Sequence, residues 1–260
     1  EELEEYLQTG IGLKTLNDEV MALEIAACDL DATKLEECPP VVVLDGIWAT
    51  WMVETGSTKK DKKGRLRKVK RRQKVVVLVA LGIWPEREEW DILAWYIAPG
   101  EEEVQWSAFL TQLQEAGLKP ERGLRLLIAD GAGGIEAAKQ MVYGSQLPLQ
   151  RCVFHKIQNV LKDIRCAQGM GRQEKGEYKR KLAQEVAAIW EAETEREAVG
   201  LMARVVQKYQ GEQPEAMATL QRDFGATLQF YGVQREAALE GKVWPGRLLR
   251  TSSLLERANR

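Results

Sequence analysis

Apolar and polar positions along the chain form patterns that predict strands first and helices later. Three runs rich in β-branched and aromatic residues, at 41–53, 75–84 and 90–98, predict strands. The Pro-Glu-Arg-Glu sequence at 85–88 predicts a turn, so the second and third strands should form a hairpin. This part of the chain is therefore expected to be an antiparallel meander of three strands.

Helical periodicity begins after the third strand. Residues 101–118 start with three acids, carry apolar residues mainly on one side and approach their end at a glycine, which predicts a helix. A fourth strand is predicted at 124–130, a second helix at 135–144 and a short fifth strand at 149–155. From Lys156 onwards the sequence is charged and rich in Ala and Gln, which predicts several helices and no strand.

The order of these elements predicts an α/β fold. A strand reached through a helix is expected to join the sheet in parallel by a right-handed crossover, so the fourth strand should lie beside the first. The expected fold class is a ribonuclease H-like mixed five-stranded sheet flanked by helices, with an all-helical insertion before the last core helix. The predicted divisions are a mainly helical N-terminal segment, the ribonuclease H-like core, the insertion and a truncated final helix: 1–40, 41–160, 161–246 and 247–260.

Composition excludes several classes of protein. No apolar run reaches the roughly 18 residues that a membrane-spanning helix needs, so no membrane partner is expected. The four cysteines form neither a disulfide framework nor a zinc site by their spacing, which indicates a reducing compartment such as the cytoplasm. The first residues are acidic and lack Met, so they are no signal peptide and the chain is expected to be part of a longer protein.

Positive charge is concentrated in one stretch. The formal net charge is −2, but residues 59–74 hold eleven Lys or Arg against one Asp. Such a block repels itself unless an anionic partner neutralises it, so we predict a salt-sensitive polyanion contact, with a solvated loop as the alternative. On the strand assignment above, the block is a long connection between the first two strands. The candidate contact residues are Lys59, Lys60, Lys62, Lys63, Arg65, Arg67, Lys68, Lys70, Arg71, Arg72 and Lys74.

Two aspartates follow apolar runs. Asp45 follows VVVL on the first predicted strand, and Asp130 follows LLIA at the end of the fourth. If these strands are neighbours, the two carboxylates lie close together, and a divalent cation would remove their repulsion. A pair of such ions can activate an attacking oxygen and stabilise the leaving oxygen in phosphoryl transfer. Capping of the next helix is an alternative role for Asp130, whereas it fits Asp45 poorly because Asp45 lies in mid-strand.

A third acid is expected near the C-terminus. Glu256 lies in the sequence LRTSSLLERANR at 249–260. The spacing from Ser253 to Glu256 also matches a helix capping box, in which the Glu side chain bonds back to the Ser backbone. The residues alone therefore leave a metal ligand and a capping residue as alternatives for Glu256.

The chain contains a single histidine. His155 lies three residues after Cys152, and no second pair of Cys or His residues completes a zinc site around them. A proton-transferring residue and an ordinary buried core residue are the other possibilities that the residues leave open.

Four segments carry a resemblance to a known family. They are WYIAPGEEEVQWSAFLTQLQEAGL, LRLLIADGAGGIEAAKQMV, LQRCVFHKIQNVL and TSSLLERANR. Together they resemble the Mutator-type transposases of bacterial insertion sequences, which are DDE enzymes on a ribonuclease H-like fold. The family's first Asp matches Asp45, its second Asp, followed by Gly, matches Asp130, and its final Glu matches Glu256. The neighbouring motif residues match Cys152, His155, Arg257 and Asn259, with Ser253 standing where the family pattern has Asn.

This resemblance implies an activity. It implies Mg²⁺-dependent cleavage of DNA at element ends and strand transfer into target DNA, with Asp45, Asp130 and Glu256 holding two Mg²⁺ ions that Mn²⁺ can replace. It places Cys152, His155, Arg257 and Asn259 beside the active centre, where His155 would bond a scissile phosphate or hold a carboxylate. It also implies DNA as the partner of the basic block, a homo-oligomer in the active complex and association with the nucleoid. A catalytically inactive DNA-binding relic and a nuclease that cuts without joining are the alternatives.

Overall fold

The computed structural model describes residues 35–131 and 133–250, and of Trp51 the backbone alone. Within these residues the strands are β1 (Val41–Lys60), β2 (Leu66–Trp84), β3 (Glu89–Ala98), β4 (Leu126–Ala129) and β5 (Leu149–Arg151). The helices are α1 (Glu103–Glu115), α2 (Gly133–Tyr143), α3 (Val153–Lys162), α4 (Arg172–Ala187), α5 (Glu195–Tyr209), α6 (Pro214–Gln221), α7 (Gln229–Leu239) and α8 (Gly246–Leu249). Short 3₁₀ turns are formed by Pro120–Arg122, Ala188–Glu191 and Phe224–Thr227. Nearly all of the predicted N-terminal helical segment lies outside the described residues.

The strands form one mixed sheet in the order β3-β2-β1-β4-β5. β1, β2 and β3 are antiparallel neighbours, whereas β4 pairs in parallel with β1, and β5 pairs in parallel with β4. The predicted meander, the hairpin between the second and third strands and the placement of the fourth strand beside the first are therefore confirmed.

Each face of the sheet is covered by its own set of helices. Side chains alternate along β1, so Val42 and Leu44 pack with α1 and α2, whereas Val41 and Val43 pack with α3 and the helices that follow it. We call these two surfaces the α1 face and the α3 face. Because both faces are covered, β1 and β4 read as continuous apolar runs rather than as alternating ones.

The basic block is not the connecting loop that the sequence predicted. β1 continues to Lys60 and β2 begins at Leu66, so most of the block is strand, and only residues 61–65 form the turn. The two strands pair from Val41↔Ile83 out to Lys60↔Leu66, with a register shift between Glu54 and Thr58. Beyond the part of the sheet that β3 and β4 complete, β1 and β2 pair with each other and with no other described strand. We call residues 51–74 the ribbon.

The fifth strand is shorter than predicted. β5 ends at Arg151, and α3 begins at Val153, so the predicted strand residues Val153, Phe154 and His155 are helical. The helix starts here because Cys152 bonds back to the sheet: its backbone N–H donates to the carbonyl oxygen of Ala129 at 2.6 Å. Cys152 and His155 therefore lie at the N-terminus of a helix rather than on a strand.

Two buried polar side chains join the helices after α3 to the sheet. Gln150 on β5 donates to the carbonyl oxygen of Thr227 at 2.9 Å and accepts from the N–H of Phe230 at 3.0 Å. Lys156 on α3 donates to the carbonyl oxygens of Thr219, at 2.6 Å, and Arg222. These bonds satisfy polar groups that would be costly to bury unpaired, and they fix the later helices against the α3 face. None of the described helices combines the length and the apolar character needed to cross a membrane.

Candidate active site

Asp45 lies where β1 leaves the covered part of the sheet. It sits opposite Val79 of β2, is half-buried, and its Oδ1 accepts from the N–H of Gly46 at 2.9 Å. Val41 and Val43 belong to the α3 face, so the alternation of the strand directs Asp45 to the same face.

Asp130 follows the end of the neighbouring strand. β1 and β4 are paired as Val41↔Leu126 and Val43↔Ile128, so Asp45 and Asp130 each come two residues after the last paired position. Neighbouring strands are about 4.8 Å apart. On two parallel strands, residues that lie equally far beyond a paired position remain opposite each other. The register therefore brings the two predicted aspartates to the same edge of the sheet.

Glu101 is an acid at this edge that the sequence reasoning missed. The run of acids at 101–103 predicts that Glu101 begins a helix, but α1 begins at Glu103, so Glu101 precedes the helix and its side chain is half-buried. Burial raises the pKa of the Glu101 carboxyl, and the charges of Asp130 and Asp45 raise that pKa further, while a hydrogen bond from the Trp48 side chain opposes the shift. The charges of both aspartates therefore act on the Glu101 carboxyl.

Glycines make room for Glu101. A Cβ at Gly46 would overlap the Glu101 carboxylate, and a Cβ at Gly134 would lie 2.6 Å from the Glu101 carbonyl oxygen. Gly131 has a φ of +90° and lies against the Arg151 side chain, whose Nε would be 2.7 Å from a Cβ there. Gly131 and Gly134, in the Gly-Ala-Gly-Gly sequence after Asp130, thus lie in close contact with neighbouring segments, and Gly134 is a sequence signal that could have pointed to the segment holding Glu101.

Cys152 and His155 begin α3 at the same edge of the sheet. Cys152 is fully buried on the α3 face, and its N–H is bonded to the residue before Asp130. His155 lies in the first turn of α3, is half-buried, and meets the ring of Phe154 edge-on at 5.7 Å between centroids. The burial of Cys152 fits a core role, whereas His155 is accessible enough to meet a substrate.

The remaining predicted site residues lie outside the described residues. Glu256, Arg257 and Asn259 fall in 251–260, so the assignment of the third acid stays a prediction. The last described residue, Arg250, accepts a hydrogen bond on its carbonyl oxygen from the N–H of Val153 at 2.8 Å. Arg250 therefore lies next to the start of α3, beside Cys152.

The donors gathered in the described part of the chain do not complete a metal centre. Across 35–131 and 133–250, no group of three or more His, Cys, Asp or Glu side chains is close enough to hold a metal ion. The sequence prediction required a third ligand from Glu256, which is consistent with this finding.

The predicted polyanion-contact residues all lie on the ribbon. Lys59 and Lys60 end β1, and the turn carries Lys62, Lys63 and Arg65. β2 carries the rest: Arg67, Lys68, Lys70, Arg71, Arg72 and Lys74. All eleven cationic residues are exposed. This exposure fits a contact surface better than a structural role.

Comparison with known proteins gives consistent results. Residues 62–257 match the model of a family described as "Transposase, Mutator family". Among curated proteins, the chain is 30% identical over 165 residues to the transposase for insertion sequence element IST2 of Acidithiobacillus ferrooxidans, a match that covers 63% of this chain and 50% of that protein. It is 29% identical over 184 residues to the transposase for insertion sequence element IS406 of Burkholderia multivorans, covering 71% of this chain and 42% of that protein. The chain thus spans half or less of the length of these relatives.

Proposed function

Because the chain belongs to the Mutator family of transposases, we propose that it forms the catalytic part of a DNA transposase that cuts element ends and joins them to target DNA. Both reactions are phosphoryl transfers: an oxygen nucleophile attacks a DNA phosphate, and the bond to the opposite oxygen breaks. Water is the nucleophile in cleavage, and the freed 3′ hydroxyl of the element is the nucleophile in joining.

The register of β1 and β4 is the observation that carries this proposal. Asp45 on β1 and Asp130 after β4 each follow the last paired position of these neighbouring strands by two residues, which supports a shared site for the two carboxylates. The proposal assigns the sheet to the ribonuclease H-like class, whose strand order and directions it shares. It assigns 41–160 to the catalytic core and 161–246 to an insertion that clamps DNA or a partner subunit in a homo-oligomer.

The residues at this edge fit a magnesium centre. Carboxylate oxygens are the ligands that Mg²⁺ prefers, and Asp45 on β1 and Asp130 directly after β4 would provide them. Glu256 would be the third ligand, and it follows by six residues the carbonyl of Arg250, which is bonded to the start of α3. When bound, two Mg²⁺ ions, or Mn²⁺ in their place, supply activation of the attacking oxygen and neutralisation of the leaving one.

Other residues around the aspartates orient the substrate. We assign His155 to a hydrogen bond with the scissile phosphate or with one of the carboxylates, because it lies in the first turn of α3 and is half-exposed. Arg257 and Asn259 are assigned to the same neighbourhood from their places in the family motif. Cys152 would hold the start of α3 against β4 through its backbone and its buried side chain.

A strand-transfer assay with labelled element ends tests the proposal in the full-length transposase. Asp45→Asn and Asp130→Asn should abolish both cleavage and joining while leaving DNA binding intact, since Asn keeps the shape but loses the charge. Asp91→Asn is the matched control, because Asp91 is exposed on β3 and accepts from the N–H of Ile92 at 2.8 Å. Cleavage at the parental rate in either site variant would refute the assignment.

The same assay separates the rival functions. A parent protein that binds ends but neither cuts nor joins would be a catalytically inactive relic. A parent that cuts but never joins would be a nuclease.

A further inference from the structure

The ribbon extends well beyond the body of the protein. The last positions of β2 that pair with β3 and the last of β1 that pair with β4 are Val76 and Val43. From Val75 outwards to Leu66 the strand is nine residues longer, which at about 3.3 Å per residue makes an arm of roughly 30 Å. Most side chains on this arm are exposed on both sides. Packing against a core therefore does not explain its length.

Charge on the ribbon is opposite to that of the rest of the chain. Eleven of the 37 Lys and Arg residues, but two of the 39 Asp and Glu residues, lie in 51–74. The ribbon therefore carries a formal charge of +9, and the remaining residues together carry −11. A two-stranded hairpin without a core is marginal in water, and this one sets Lys59 directly opposite Arg67, which opposes folding further.

A local device holds the tip of the ribbon in shape despite this repulsion. Oδ1 of Asp61 accepts from the N–H groups of Lys63 and Arg65 at 2.8 and 3.0 Å, and its Oδ2 accepts from the side chain of Arg67 at 3.1 Å. These hydrogen bonds lower the pKa of Asp61. The turn thus keeps the cations on a defined scaffold.

The two sides of the ribbon differ. Alternation from Val76 and Leu78 directs Lys68, Lys70, Arg72 and Lys74 to the side that continues the α1 face, and we call these four residues the cation row. The opposite side holds Arg67 and Arg71 next to Val69 and Gln73, which are only half-exposed. Glu54 also lies on the side of the cation row and pairs with Lys68 at 2.6 Å, and Lys59 lies on the opposite side, so the cation row is distinguished mainly as the more open side.

The cation row leads to the candidate active site. Thr50 and Trp48 stand opposite Lys74 and Val76 on the same side of the hairpin. The Trp48 side chain, which is 54% exposed, is hydrogen-bonded to Glu101, the acid whose pKa is raised by the charges of both aspartates. The cation row therefore lies on the same side of the sheet as Trp48 and Glu101, at the edge that also carries Asp130 and Asp45, although the Asp45 side chain faces the α3 side.

We propose that the ribbon is a DNA-binding arm whose cation row lies along the phosphates of duplex DNA that flanks the cleavage site. The inference rests on the proposed function for its choice of ligand and deepens it by naming one side of the arm. Its length is close to one turn of B-form DNA, and the major groove is wide enough for a two-stranded β-ribbon. Residues two apart on a strand recur about every 6.6 Å, or about two phosphates along the axis of one DNA strand.

Two variants, each of which loses four positive charges, test which side of the ribbon contacts DNA. The first replaces the cation row, Lys68, Lys70, Arg72 and Lys74, with Gln. The second, the control, replaces Lys59, Lys62, Lys63 and Arg71 with Gln and keeps Arg67, which bonds to Asp61 in the turn. Binding to an arbitrary duplex of about 30 base pairs is measured in the absence of divalent metal over a range of salt concentrations, so neither end recognition nor catalysis affects the result. Circular dichroism and melting curves verify that both variants fold.

Each neutralised phosphate contributes about 0.9 to the slope of log binding constant against log salt. Removing four contacts should therefore reduce the slope by about 3.6, so that between 50 and 200 mM salt the parent's binding constant falls about 150-fold more than that of the row variant. The control should change the slope by about 1 or less. Equal effects in the two variants, or no effect in either, would overturn the inference.

The same titration on a single strand of equal length tests the ligand. The row variant should lose more affinity for the duplex than for the single strand, and an equal loss on both would refute the duplex assignment. These outcomes are independent of the catalytic proposal. Asp45→Asn should stop cleavage and leave the salt slope unchanged, whereas the row variant should change the slope whether or not the parent can cut DNA.

Discussion

Replacing Gly134 by Ala should displace the segment that carries Glu101. Gly134 lies in the first turn of α2, and a Cβ there would be 2.6 Å from the carbonyl oxygen of Glu101, 3.1 Å from the N of Glu103 and 3.2 Å from the carbonyl carbon of Glu102. All three atoms belong to the backbone, so no side chain can rotate away. Either α2 or residues 101–103 must move.

The neighbouring glycine provides an internal standard. Gly133 is in the same turn, and a Cβ there would have no atom of the described residues within 4 Å, its chain neighbours aside. Gly→Ala within a helix stabilises by roughly 0.5–1 kcal/mol, and this gain is shared by both variants. The overlap at Gly134 adds a cost of about 1–3 kcal/mol, which is the usual effect of forcing extra volume into a packed region. The difference in the free energy of unfolding between the two variants should therefore be about 1–3 kcal/mol.

Thermal denaturation followed by circular dichroism measures this difference. One kcal/mol corresponds to about 2–4 °C in melting temperature for a domain of this size, so Gly134→Ala should melt several degrees below Gly133→Ala. Gly134→Ala should also lose cleavage activity, because Glu101 and Trp48 would no longer keep their places beside the aspartates. Identical melting temperatures for the two variants would refute the packing of residues 101–103 against α2.

Three further substitutions address the site and its support. His155→Ala should fold like the parent and lose most cleavage activity; full activity together with a melting temperature lowered by several degrees would make His155 a core residue instead. Glu256→Gln should fold and bind DNA but neither cut nor join, because Gln replaces Glu in a capping box but is a poor ligand for Mg²⁺, and retained activity would exclude Glu256 as the third acid. Burial, followed by the charge of Arg151, lowers the pKa of Lys156 from 10.5 to about 8, so between pH 8 and 10.5 the unfolded chain binds more protons and stability should rise with pH. Lys156→Gln should remove that rise in urea denaturation curves, and an unchanged pH dependence would contradict the shift.

The sheet could be predicted from the sequence because its signal is local. β1, β2 and β4 contain apolar runs such as VVVL and LLIA, which are buried on both faces, and the helices between the later strands require parallel crossovers. The same reasoning brought Asp45 and Asp130 together, since each follows such a run at a strand that the order of elements makes neighbours.

The ribbon could not be predicted in the same way. A strand exposed on both sides shows no alternation of apolar and polar residues, so a sequence such as RLRKVKRRQK reads as a charged loop. Its strands form because β1 and β2 are already aligned in the core and the Asp61 turn closes them. The pairing of the ribbon strands therefore depends on the core positions from Val75 inwards and on the Asp61 turn, rather than on the sequence of the exposed positions.

The start of α3 and the position of Glu101 were missed for a related reason. Val153 and Phe154 extend an apolar run, and their helical state follows from the bond between Cys152 and Ala129 across the sheet. Glu101 is the first of three consecutive acids, and nothing in that run distinguishes the one that lies over Gly46 from the two that follow it. Contacts between distant segments decide both features.

The opposite charges of the ribbon and the remaining chain have a consequence for how a duplex approaches. A positive arm on a negative protein creates a field that turns the molecule as it diffuses, so that the arm meets a polyanion before the rest of the surface does. The orientation of the first encounter is thus set at a distance, and raising the ionic strength should slow association more than it speeds dissociation.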